Sequence, residues 1–117
     1  MLFPQWERKQ KGINKMVKHI ILWKLKSEYT GEKKAEILAG IKQNLESLAG
    51  VVPGLLEIKV NYENALASSN ADVMLDSTLE SEEALKGYAV HPAHVAAANG
   101  YVRPYTETRL CLDYEVK

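Results

Sequence analysis

Two of the chain's three histidines fall in one short run, YAVHPAHV, where His91 and His94 flank Pro92 a few positions after Tyr88. A histidine titrates near neutral pH and so serves as a general base, and a carboxylate on one ring nitrogen fixes the tautomer and raises the basicity of the other. A neighbouring phenol can hold a substrate carbonyl and donate a hydrogen bond to the oxyanion as it develops. The candidate catalytic set is therefore His94 as base, Asp113 as the carboxylate that orients it, and Tyr88 as the donor to oxygen. Tyr88 and His94 are six positions apart. On an unbroken helix they would diverge by about 120°, so the break at Pro92 is what allows both into one cavity.

Each of these residues also has a purely structural use. His94 bonded to Asp113 could tie a loop to the last strand, Tyr88 could cap the core with its hydroxyl in water, and His91 reads as the residue that starts a helix at Pro92. His91, His94 and Asp113 could together approach a divalent metal. Secure sites need three or four protein ligands with a satisfied second shell, so no metal is expected.

The elements that must position these groups follow from periodicity. VKHIILWKLK, Val17 to Lys26, alternates as a strand with Val17, His19, Ile21, Trp23 and Leu25 on one face and Lys18, Ile20, Leu22, Lys24 and Lys26 on the other. Ile37, Ile41, Leu45 and Leu48 then recur at helical spacing, from a cap at Thr30 to a stop at Gly50. LLEIKVN reads as a second strand, NYENALASSN as a polar loop, and ADVMLDSTL as a third strand with Val73, Leu75, Ser77 and Leu79 on one face.

ESEEALKGYAV is a short helix capped by Ser81, and HPAHVAAANG a second helical piece ending near Gly100. TRLCLDYEV closes the chain as a fourth strand, with Arg109, Cys111 and Asp113 facing the helices, where Cys111 reads as core. The order β-α-β-β-α-β is two βαβ units in succession, a ferredoxin-like α+β fold with both helices on one face of an antiparallel sheet. The other face would expose Ile20, Leu22, Met74, Leu110, Leu112 and Tyr114, more apolar surface than a soluble monomer usually tolerates. A second copy packed sheet against sheet, as an isologous homodimer, is expected to cover it.

Under the helices the pocket would be lined by His19, Ile21, Trp23, Leu75 and Ser77, with His91 at its edge. His19 alone would read as a core histidine; several polar groups converging on one pocket change that reading.

Composition narrows the classes. The chain has 117 residues, enough for one domain, and 15 basic against 15 acidic side chains, so no global field draws it to nucleic acid. Its single cysteine precludes an intramolecular disulfide and fits a reducing, cytoplasmic setting, no apolar run is long enough to span a membrane, and no glycine-rich phosphate loop is present. Residues 1–15 form a polar, basic leader, read as an extra tail or as a surface anchor through Leu2, Phe3 and Trp6. Residues 16–117 form the domain.

Together, VKHIILWKLK, VVPGLLEIKV, DVMLDSTLESEEALKGYAVHPAHV and LCLDYEV resemble the stress-responsive A/B barrel domain family, over Met16 to about Val116. The resemblance implies a dimeric α/β barrel. The family's best-defined enzyme is a plant cyclase that closes a linear polyketide by intramolecular aldol condensation without a cofactor. Its catalytic tyrosine and histidine match Tyr88 and His94, its supporting aspartate matches Asp113, and its first-strand pocket histidine matches His19. Where that enzyme has bulky aromatic residues along the first helix, this chain has Ile37, Leu38, Ile41 and Leu45, and Ser77 stands where it has a small apolar residue. The resemblance thus implies a shared pocket with a different substrate shape.

The function expected is a homodimer whose pocket binds, and if catalytic converts, a small apolar carbonyl or phenolic compound by His/Tyr acid–base chemistry with no cofactor. A non-catalytic stress-responsive dimer and a cofactor-independent monooxygenase are the alternatives, and fold alone does not choose among them.

Overall fold

A computed structural model describes residues 15–116; the proposed anchor Leu2, Phe3 and Trp6 lies outside them. Strand β1, Val17–Leu25, buries every second residue, as its alternation requires. Helix α1, Gly31–Glu46, turns Ile37, Leu38, Ile41 and Leu45 into the core. Thr30 holds the cap position, but its side chain makes no capping bond. The chain enters the helix through Gly31 at φ 56°, and Thr30 offers its carbonyl to the Lys34 amide instead of its hydroxyl.

Strands β2, Leu55–Asn61, and β3, Val73–Leu79, follow. Gly54 precedes β2 at φ 81°, and a Cβ there would lie 2.6 Å from the Cβ of Ala84, so only glycine fits beneath the next helix. That helix, α2, Glu82–Val90, is capped by Ser81, whose hydroxyl oxygen accepts the Ala84 N–H at 3.0 Å. Helix α3, Pro92–Ala97, restarts the chain in a new direction. It runs into a π-helical turn over Ala98–Val102 and a 3₁₀ turn over Arg103–Tyr105 before strand β4, Thr106–Glu115.

The four strands form one antiparallel sheet in the order β2-β3-β1-β4. This is the ferredoxin-like α+β topology. A single core lies between the helices and the inner face of the sheet, with Ile41, Leu45, Leu75 and Leu79 fully enclosed. The Glu46 carboxylate pins α1 to the edge strand β2, accepting the Val60 N–H at 2.9 Å and the Lys42 ammonium at 3.0 Å. Edge amides satisfied in this way are not offered to another chain.

The outer face carries the expected apolar patch. Leu110 and Leu112 are each 63 % exposed, Leu22 and Tyr114 are also exposed, and Ile20 and Met74 are half-buried.

Cys111 departs from expectation. It is exposed, because β4 is an edge strand lying beyond the cover of the helices. No helix among the described residues is long and apolar enough to cross a membrane.

Candidate functional site

Register sets the first part of the site. His19 in β1 lies opposite Ser77 on one side and Asp113 on the other. The Ser77 hydroxyl, fully buried, donates to the His19 carbonyl at 2.9 Å. Asp113 Oδ1 accepts from His19 Nδ1 at 2.5 Å. A carboxylate only accepts, so Nδ1 of His19 carries the proton.

The proline break sets the second part. Tyr88 occupies the last turn of α2, and His91 ends that helix in an extended conformation, ψ 132°, before Pro92 opens α3. The change of direction swings His94 back over Tyr88, bringing the ring centroids to 4.2 Å with a 35° tilt. His19 approaches the other side of Tyr88 edge-on, with centroids 5.8 Å apart. The phenol is thus held between two imidazoles.

Asp113 does not orient His94, contrary to the sequence-based expectation. His94 Nδ1 faces the carbonyl of Ala89 at 3.3 Å. A carbonyl can only accept, so the proton sits on Nδ1, leaving the Nε2 lone pair as the base. Burial lowers the pKa of His94; the Ala89 carbonyl opposes that shift, and the charges of Arg103, His19 and Arg109 add to it. A neutral imidazole at physiological pH is the result.

Tyr88 is 1 % exposed, and its hydroxyl has no hydrogen-bond partner among the described residues. Burial pushes its pKa up to about 12 against a smaller opposing pull from Arg109. The phenol therefore stays protonated and available as a donor. A buried unpaired hydroxyl costs free energy and calls for a partner that the described residues do not supply.

Beside these rings lies a cavity of about 80 Å³, lined by Tyr88 and His94 together with Ile21, Trp23, Leu45 and Leu75. Three of these six, Ile21, Trp23 and Leu75, match the ligand contacts expected from the strand pattern, and two more, Tyr88 and His94, are the expected acid–base pair; Leu45 comes from α1. His19 and Asp113 stand behind the wall, and Ser77 is spent on the backbone of His19. His91 is not at the cavity; its Nδ1 accepts the Ala93 N–H at 3.1 Å as the cap of α3, and its ring borders a groove with Gly87 and Val52.

Sequence reasoning missed Arg103, Thr106 and Arg109 in the lining. Arg109 was on the correct strand face, next to Asp113 in the alternation, and that was the available signal. Arg103 follows an irregular π turn that periodicity does not reveal.

A larger open groove of about 450 Å³ lies beneath the loop between β2 and β3. Its acids are already engaged, Asp72 with Lys34 and the Leu25 amide, and Glu63 with Lys42.

Among the described residues His19, Cys111 and Asp113 bring donor atoms within 4.8 Å of one another. Their contacts are mutual: the Cys111 thiol donates to Asp113 at 3.4 Å, and burial, with Asp113 beside it, raises the thiol pKa. A protonated thiol is a poor metal ligand.

Residues 17–116 match the Stress Responsive A/B Barrel Domain, and this match covers most of the chain. The chain belongs to that family. Olivetolic acid cyclase from Cannabis sativa is 29 % identical over 102 residues, covering 84 % of this chain and 94 % of the cyclase. Among solved structures, a dimeric protein of unknown function with a ferredoxin-like fold from Bacteroides fragilis superposes with a TM-score of 0.80 at 33 % identity, over 86 % of this chain and 96 % of its own. A dimeric ferredoxin-like protein of unknown function from Thermobifida fusca gives 0.75 at 21 % identity, over 99 % and 97 %. Both of these neighbours are described as dimers.

Proposed function

We propose that the chain forms a homodimer through its open sheet face and that each subunit's cavity binds and converts a compact carbonyl compound by cofactor-free acid–base chemistry. The observation that carries this reading is the buried, unpartnered Tyr88 hydroxyl, adjacent to a neutral His94 and a cavity. His94 Nε2 removes a proton alpha to the carbonyl. The C–H electron pair becomes the new C–C π bond, the carbonyl π electrons move to oxygen, and Tyr88 donates its hydrogen bond to the resulting enolate oxygen. His19, fixed by Asp113, acts as a positioning residue that holds the phenol from behind.

The similarity to olivetolic acid cyclase supports carbonyl chemistry in this pocket. The cavity volume argues for a smaller reactant, since pockets for drug-sized ligands run to roughly 300–1,000 Å³. The dimeric neighbours and the exposure of Leu110 and Leu112 support the assembly.

The test is deuterium incorporation at the alpha carbon of small ketones in D₂O, followed by proton NMR. Wild-type protein should accelerate exchange and His94→Ala should not. Exchange at the buffer rate with wild type, or equal rates for both proteins, would remove His94 as a base and leave the non-catalytic dimer as the better reading.

A further inference from the structure

The walls nearest the reacting groups are apolar, but the cavity is also lined by two arginines, Arg103 and Arg109, and by no acidic residue among those described. Both arginines are exposed at the rim. Arg103 enters through the 3₁₀ turn that follows Val102, with Nη1 donating to Asn99 Oδ1 at 2.5 Å, which fixes one edge of its fork. Arg109 comes from β4 at the position opposite Trp23, itself a cavity residue. Neither makes an ion pair among the described residues, where seven lysine–carboxylate pairs occur.

Two like charges at the mouth of one cavity repel, and a bound anion offsets that repulsion. Guanidinium forks match the geometry of a carboxylate, and a rim of positive charge raises the local concentration of an anionic substrate. The arrangement also suits the reaction above. Forming an enolate on a molecule that already carries a carboxylate concentrates negative charge, and two nearby cations lower that cost.

We propose that the substrate is a small oxo-carboxylate, its carboxylate held by Arg103 and Arg109 at the rim and its carbonyl directed to Tyr88 and His94. This rests on the functional reading just given and narrows its substrate from a compact carbonyl compound to an anionic one.

The experiment titrates pyruvate and its neutral isostere pyruvamide into the protein and follows the ring resonances of His94 by NMR, in wild type, Arg103→Gln, Arg109→Gln and Arg109→Lys. Pyruvate should bind at least about tenfold more tightly than pyruvamide. That preference should weaken with added salt, collapse in either glutamine variant and recover in part in Arg109→Lys. Pyruvamide affinity should change little across the series, which also shows that the variants remain folded.

Equal binding of the two probes, or a pyruvate preference that survives both glutamine variants, overturns the carboxylate inference and leaves the carbonyl pocket standing. Inorganic phosphate that displaces pyruvate and matches its affinity overturns the choice of carboxylate as the ligand class. If neither carbonyl probe moves the His94 resonances, the pocket reading falls together with this one.

Discussion

Asp113 grips His19, not His94: the carboxylate accepts a hydrogen bond from Nδ1–H of His19 across the β1–β4 register at 2.5 Å, while His94 relies on the Ala89 carbonyl. The two histidines therefore have separate supports. A double-mutant cycle between His19→Gln and Asp113→Asn should show coupling of about 1 kcal/mol in urea unfolding, toward the low side for a charged hydrogen bond because Asp113 is partly exposed. The corresponding cycle between His94→Gln and Asp113→Asn should be additive. Strong coupling in the second cycle would restore the pairing that the sequence suggested.

Tyr88→Phe separates a ligand-directed hydroxyl from a structural one. Because the hydroxyl lacks a partner in the buried state, its removal should leave stability unchanged or raise it by up to about 1 kcal/mol, while alpha-proton exchange falls at least about tenfold. Thermal unfolding and the exchange rate, measured on the same preparation, check both halves. A clear loss of stability would place the hydroxyl in the fold's own hydrogen bonding.

The lowered pKa of His94 makes a signed prediction for pH. Above its ordinary value of 6.5 the imidazole is neutral in both folded and unfolded chains; below it the unfolded chain binds the proton first, so stability falls as the pH drops from about 6.5 through the folded pKa. Urea midpoints against pH should show this slope in wild type and a shallower one in His94→Asn. The exchange rate should rise with pH through the same sub-6.5 region and stay level over neutral pH, since Tyr88 does not lose its proton until about 12.

The outer sheet face supplies a test of assembly. Leu112→Asp puts a charge in the middle of the exposed patch formed with Leu110 and Tyr114, so sedimentation should report a monomer where wild type gives a dimer. The inner core should be undisturbed, because this face does not contact it, and far-UV circular dichroism should match wild type. A dimer that persists in Leu112→Asp places the interface elsewhere.

The strand alternation of VKHIILWKL, the 3.6-residue repeat of α1, the Ser81 cap and the Pro92 break were all legible as local patterns, and they carried the topology and the shared approach of Tyr88 and His94. Ile21, Trp23 and Leu75 were legible as pocket residues for the same reason, since alternation places them on the inner face. His91 and Ser77 were credited to the pocket because their types suit it, yet each is used by nearby backbone. Cys111 was misread as core because alternation gives a residue's face but not whether its strand lies at the covered centre of the sheet or at its edge.

What the sequence determined by itself was the set of elements, their faces and the two-sided demand for burial, because these follow from periods of 2 and 3.6 residues acting over short stretches. Only the tertiary structure decided which histidine Asp113 serves, that the Tyr88 hydroxyl finds no partner among the described residues, and that Arg103 and Arg109 meet at one cavity. Those facts depend on cross-strand register and on the irregular turn at Ala98–Val102, which set distances between residues far apart in the chain and leave no periodic trace in it.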